Sequence, residues 1–121
     1  MVIGLLVLSP SLTPGQQGTE SRHVYAALYE RGPAWITGKS VRDFPNFQEH
    51  VAHIRAIESS LLGAGPFVEK SGETSIGMVL FLAANDEDAA QLAGSDPFVQ
   101  ARYTRVTKVL RWDIEKLKSW P

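Results

Sequence analysis

The run from Ser75 to Ala83 reads Ser-Ile-Gly-Met-Val-Leu-Phe-Leu-Ala. It has the length of a strand, with turn-forming Lys70, Gly72 and Glu73 before it and Asn85 after it. Strand side chains alternate between two faces. Here both sets are apolar, Ile76, Met78 and Leu80 against Val79 and Phe81. A strand apolar on both faces must be covered on both. The chain has 121 residues, 44% hydrophobic and 21% charged, so one domain with a modest core is expected to supply the cover.

The neighbouring segments say what lies beside that strand. His23 to Tyr29 is β-prone and ends at Gly32-Pro33, and residues 32–43 read as a polar loop. A helix is expected from near Pro45, which suits a first turn, with Asp43 at the positive end of its dipole. At about 100° per residue, Phe47, Val51, Ile54, Ile57 and Leu61 fall on one stripe. Leu61 to Phe67 reads as extended and residues 68–74 as a hairpin turn. Asn85 caps a short helix that Gly94 ends. Tyr103 to Trp112 is a final β-prone run, and 113–121 a short amphipathic tail. The order β-α-β-β-α-β predicts an α+β, ferredoxin-like domain: a four-stranded antiparallel sheet with both helices on one face. The other face is then apolar and open. A second copy related by a two-fold axis covers it most economically, so a homodimer is expected.

Composition narrows the function. A net charge of −1 and the absence of a Lys/Arg run or an aromatic RNA-binding motif argue against nucleic acid. With no cysteine there is no disulfide, thiolate metal site or thiol nucleophile. Residues 1–20 read as a segment apart from a domain spanning 21–121. Val2 to Leu8 is apolar but too short to span a bilayer, which takes about 20 residues. It resembles the core of a secretory signal without the basic start or cleavage site. A frayed or disordered apolar terminus is the alternative, so the location stays open between cytoplasmic and exported.

The candidate chemistry rests on His50 and Asp96. His50 sits in the middle of the apolar helix stripe, where a histidine is either a structural core residue or a general base kept neutral by burial. Asp96, before Pro97, is either a helix cap or the partner that orients an imidazole. Gly65 and Pro66 read as a bulged strand or as a pocket floor where a ligand approaches the main chain. Trp35 and Lys39 read as a lid or as a solvated loop with one anchoring aromatic, and Phe98 follows the Asp-Pro pair as a further ligand contact. His50 and His53 are spaced to share a metal, but there is no HExxH pattern or third ligand, so no metal and no cofactor are expected. The stretch from Gly32 to Ser40 fails as a phosphate loop, because its glycines are too far apart and Arg42-Asp43-Phe44-Pro45 interrupts the helix that should follow.

The segments Gln48-Glu49-His50-Val51-Ala52-His53-Ile54, Leu61-Leu62-Gly63-Ala64-Gly65-Pro66-Phe67, Glu87-Asp88-Ala89-Ala90 and Ser95-Asp96-Pro97-Phe98 resemble, in that order, the YCII-related (YciI-like) family. Tyr29 to Trp35 with Gly38-Lys39 is similar to a subset of it. The resemblance covers about residues 23–112. It implies a dimeric α+β barrel of ferredoxin-like protomers. It also implies a small pocket in each, where the helix histidine and the Asp of the Asp-Pro pair act together, here His50 and Asp96. Similar folds include muconolactone isomerases and a dehydrochlorinase of chlorinated aromatics, while most YciI-like proteins have no assigned reaction. The junction Glu58-Ser59-Ser60-Leu61 departs from the pattern, being shorter and lacking the usual Gly.

Two function classes follow. One is a small cofactor-independent enzyme that moves protons on a cyclic or aromatic acid, as an isomerase or lyase, with His50 as base and acid and Asp96 as its partner. The other is a non-catalytic dimeric module that binds a small molecule, with His50 and Asp96 as architecture.

Overall fold

The computed structural model describes residues 22–118. The signal-like segment 1–20 lies outside the described residues. The elements run β1 His23–Arg31, a 3₁₀ turn Val41–Asp43, α1 Phe47–Ala56, a second 3₁₀ turn Glu58–Ser60, β2 Leu61–Val68, β3 Thr74–Ala83, α2 Asp86–Gly94, α3 Pro97–Gln100 and β4 Thr104–Arg111. The strands form one antiparallel sheet in the order β2-β3-β1-β4. This is the ferredoxin-like α+β arrangement. Residues 113–118 form no regular element.

Local chemistry sets most boundaries. Asn85 Oδ1 accepts the Asp88 N–H at 2.8 Å, and Asp86, Glu87 and Asp88 fill the electropositive first turn of α2. Between β2 and β3, the Glu69 N–H donates to the Glu73 carbonyl at 2.8 Å, and Gly72 takes a positive φ of 90°. The first helix differs from expectation at both ends. It begins at Phe47 instead of Pro45, because Asn46 adopts the left-handed conformation at the N-cap, with φ 69°. It stops at Ala56, because residues 58–60 tighten into a 3₁₀ turn, with the Ser60 N–H on the Ile57 carbonyl at 2.9 Å. Leu61 therefore leaves the helix stripe and opens β2.

The register shows which side chains share a face. Tyr25 pairs with Phe81 and Ala27 with Val79, and these point toward the helices. The core under α2 joins Tyr25, Ala27, Phe81 and Ala83 to Ala89 and Ala93. Its alanines let helix and sheet approach closely, and Phe81 is the largest side chain fully enclosed there. Two tyrosines tie strand to helix: Tyr25 Oη donates to Asp86 Oδ1 at 2.7 Å, and Tyr29 Oη to the Ala93 carbonyl at 3.0 Å. The opposite sheet face carries Val24, Ala26 and Leu28 of β1 beside Leu82, Leu80 and Met78 of β3. At its margins Leu110 is 50% and Phe67 49% exposed.

A second cluster, all aromatic, sits at the end of the sheet where β1 stops. Buried Phe44 meets Trp35 at 5.0 Å, Tyr103 at 5.1 Å and Phe98 at 5.9 Å between ring centres. The loop carrying Trp35 is fastened by the Gly32 N–H on the Tyr103 carbonyl, 2.8 Å, and the Ala34 N–H on the Arg102 carbonyl, 2.9 Å. Gly32 is required there. A Cβ would collide with the Arg102 carbonyl oxygen and lie 3.1 Å from that of Thr104. Gly32→Ala is expected to lower stability by about 1–3 kcal/mol, read as a lower denaturant midpoint at unchanged slope.

Both core tyrosines have raised pKa values: Tyr25 through its hydrogen bond to Asp86 and then burial, Tyr29 through burial and then the Asp96 carboxylate. In the unfolded chain they titrate near 10. The folded state therefore holds these protons more tightly. Their stabilisation is complete below about pH 10 and is lost as pH rises through the folded values. Tyr29→Phe should make the alkaline fall in stability shallower than in the wild type, while costing about 1 kcal/mol at neutral pH for the Ala93 bond. Denaturant midpoints measured on both sides of pH 10 check this.

Candidate active site

The chain reverses between α2 and β4 through Ser95-Asp96-Pro97. Pro97 supplies the first turn of α3 with its fixed φ, and Asp96 is the N-cap, its Oδ1 accepting the Phe98 N–H at 2.8 Å. This bond aims the carboxylate. Both its oxygens lie 2.9 Å from His50 Nδ1, which projects from the first turn of α1. Asp96 is 8% exposed as a residue, whereas the His50 side chain keeps 27%. The Phe98 ring lies flat against the imidazole, centres 4.4 Å apart and planes 4° from parallel. Position, tilt and rotation of the ring are thus all constrained.

The arrangement defines the tautomer. An ionised carboxylate only accepts, so Nδ1 carries the proton and donates it. In the neutral ring Nε2 is then the lone-pair nitrogen. Among the described residues it has no hydrogen-bond partner, and no buried side-chain nitrogen or oxygen is left unpartnered. Nε2 is therefore open to solvent. An imidazole with one nitrogen held by a carboxylate and the other free is equipped to accept a proton and hand it on.

The register shows which sheet residues face α1. On the helix side of the sheet, Pro66 pairs with Gly77, which pairs with Tyr29, and Ala64 pairs with Val79, which pairs with Ala27. Ala64 and Pro66 are exposed although they face the helix layer. A Cβ on Gly77 would meet only the Gly65 carbonyl oxygen, at 3.7 Å. Above this floor of small residues, α1 has no buried residue, and its stripe of Phe47, His50, Val51, Ile54 and Ile57 is half-buried. The helix packs on α3 and its flanking turns more than on any strand. The helix side of β2–β3 is thus left uncovered beneath α1, and this opening is the candidate cleft. Tyr29, on the neighbouring strand, has a pKa raised by burial and lies near enough to Asp96 for the carboxylate to raise it further.

The residues singled out in the sequence are distributed unevenly around it. His50, Asp96 and Phe98 meet. Pro66 belongs to the floor. Gly65 is its neighbour but shares the face of Met78 and Leu28, on the far side of the sheet. Trp35 is half-buried and packs on Phe44, which separates it from Phe98 and the imidazole. Lys39 is exposed in the turn after Gly38, with no contact to the dyad among the described residues. Tyr29, Gly77 and Phe44 had not been picked out. A glycine inside an otherwise apolar strand was the available signal for Gly77. His53 is half-buried.

Among the described residues, no group of three metal-ligating side chains converges and no helix is long and apolar enough to cross a membrane.

No family model matches the chain, and no curated protein does. Among solved structures, it is similar to 5-chloro-2-hydroxyhydroquinone dehydrochlorinase (TftG) from Burkholderia phenoliruptrix AC1100, in complex with 2,5-dihydroxybenzoquinone. The TM-score is 0.55 at 19% identity, over 74% of this chain and 92% of that one. A structural-genomics protein, YjcS, aligns with a TM-score of 0.40 at 15% identity, over 78% of this chain and 99% of that one. The likeness to the dehydrochlorinase is one of fold, the ferredoxin-like α+β arrangement described above.

Proposed function

We propose that this protein is a small cofactor-independent enzyme of the YciI-like kind that transfers protons on a cyclic or aromatic acid, with His50 as base and acid and Asp96 as its orienting partner. The observation that carries the reading is the clamp on Nδ1 by both Asp96 oxygens at 2.9 Å, beside a solvent-open Nε2. Nε2 takes a proton from a ring C–H or O–H. The electron pair left behind enters the ring. In an isomerisation the imidazolium returns its proton at a second ring position. In an elimination the pair expels a leaving group as an anion, and the proton passes to solvent. The Asp96 carboxylate and the Phe98 face both favour the imidazolium formed in between. The fold neighbour supports the ring-shaped substrate class, since its ligand, 2,5-dihydroxybenzoquinone, is a cyclic vinylogous acid.

Two measurements test this together. Nitrogen-15 NMR of neutral His50 should show a protonated Nδ1 and a bare Nε2, a bias that Asp96→Ala removes. Lactones, halogenated aromatic acids and 5-chloro-2-hydroxyhydroquinone should then be screened for turnover, with halide release as one readout. Any reaction found should fall by about 10²- to 10⁴-fold in His50→Gln. Turnover that survives this change, or an Nε2-protonated ring in the wild type, overturns the reading.

We also propose that a second copy covers the open sheet face. Leu28, Met78 and Leu80 form its centre, and half-exposed Leu110 and Phe67 continue it to both edge strands. Light scattering at micromolar concentration should give the mass of a dimer. Leu80→Lys should give a folded monomer, because an ammonium in the middle of that face has no partner there. A wild-type monomer removes the proposal.

A further inference from the structure

A second opening lies between α2 and the edge strand β4. It is a groove of about 670 Å³, within the range of small-molecule pockets. Ala90 and Gly94, one helical turn apart on α2, form one wall. Val106 and Val109 of β4 form the floor. They pair with Tyr29 and Ala27, and although three residues apart they share the helix side of the sheet, because the register shifts between Leu28 and Tyr29. Val99 and Arg102 close the end. Neither His50 nor Asp96 lines it.

Two of these residues are not the ones that their backbone positions favour. Gly94 is the last residue of α2, and no positive φ calls for a glycine there. A Cβ on it would meet no atom within 4 Å. The helix end is closed by other groups: the Ser95 N–H and Oγ both donate to the Leu92 carbonyl, and the Gln100 side-chain amide donates to that of Gly94 at 2.7 Å. An alanine would raise the helix propensity of this position. Arg102 is the reverse case. It follows the C-cap of α3 with φ 67°, its N–H on the Val99 carbonyl and the Tyr103 N–H on that of Phe98, both at 3.0 Å. Helix ends with this pair of bonds favour glycine, because a Cβ costs energy at positive φ. A side chain is missing where one would stabilise and present where one costs, and both positions line the same groove.

The charge of the groove narrows what fits it. No carboxylate lines it. Arg105, also at its rim, is paired with Glu30 at 3.0 Å. The Arg102 guanidinium has no hydrogen-bond or ion-pair partner among the described residues. The lining is thus apolar, with one unpaired cation at its end. That is the complement of a compact apolar body carrying a single anionic group. We propose that the groove between α2 and β4 binds a small monocarboxylate with an apolar body. Arg102 takes the carboxylate, Val106 and Val109 underlie the body, and the side chain missing at Gly94 leaves room for it. The site is separate from the dyad, and its occupancy does not require His50.

The experiment titrates the nitrogen-15-labelled full chain, followed by amide NMR at neutral pH, with three probes: benzoate, neutral benzyl alcohol, and acetate, which keeps the charge without the ring. Millimolar benzoate should shift the amides of Gly94, Val99, Arg102 and Val106, and His50→Gln should leave those shifts in place. Benzyl alcohol and acetate should each bind about threefold more weakly or worse. Arg102→Gln should weaken benzoate by about threefold to tenfold and benzyl alcohol by less than about twofold. Gly94→Leu, which fills the space, should abolish benzoate binding. Gly94→Ala and Arg102→Gly should each raise the denaturant midpoint, since each restores the residue that the backbone favours. Shifts confined to the surroundings of His50 overturn the assignment, as does the absence of any shift at millimolar benzoate. So does benzoate binding that ignores Arg102→Gln or survives Gly94→Leu. A lower midpoint in Arg102→Gly marks the arginine as a packing residue and removes its role. A smaller mass for Gly94→Leu than for the wild type by light scattering makes the groove a contact between copies and overturns the ligand site.

Discussion

The bond from the Phe98 N–H to Asp96 Oδ1 is what the candidate site depends on. A free aspartate rotates, and an imidazole on a helix surface samples several rotamers. Here the cap bond fixes the carboxylate, the carboxylate fixes Nδ1, and the Phe98 ring fixes the imidazole plane. One short segment, Asp96-Pro97-Phe98, thus starts α3, orients His50 and supports it. Capping and orienting are alternatives when the sequence is read, but they are one geometry in the folded chain. The orienting effect arises because the carboxylate is immobilised as a cap.

Much of the architecture was legible because it follows from local periodicity and punctuation. Alternation marked the strands, Asn85 and Pro97 marked helix starts, and the glycine at 72 marked a turn. The first helix was read too long at both ends. Asn46 can take the left-handed cap conformation that few other residues take, and a 3₁₀ turn continues the apolar spacing of a helix without its geometry. His50 and Asp96 were recognisable as residue types in a plausible context, and their order resembled a family pattern. The cleft itself was not legible. It depends on which β2 residues face the helices, and that follows from a bulge between Leu61 and Gly63 that shifts the register. The same shift puts Pro66 on the floor of the cleft and turns its neighbour Gly65 away.

The division of labour between the two helices follows from side-chain size. Where α2 crosses the sheet, alanines on both sides let it settle, and the core closes around Phe81. Where α1 crosses, small residues lie below and none of the helix's own residues is buried. The sheet stays open there because α1 is held through α3 and the flanking turns more than by its underside. Stability is thereby concentrated in one half of the layer and access in the other.

The strand order also governs when the site can exist. β1 lies between β3 and β4, so among the described residues the first strand pairs with the last, Tyr25 opposite Arg111. A chain leaving the ribosome exposes β1 with an unsatisfied edge until its final strand has emerged. His50 leaves well before Asp96, and the loop after β1 is pinned to Arg102 and Tyr103, which come later still. Such long-range closure is slow compared with local helix formation. The dyad is therefore a late product of synthesis, because His50 must wait for a partner 46 residues further along the chain.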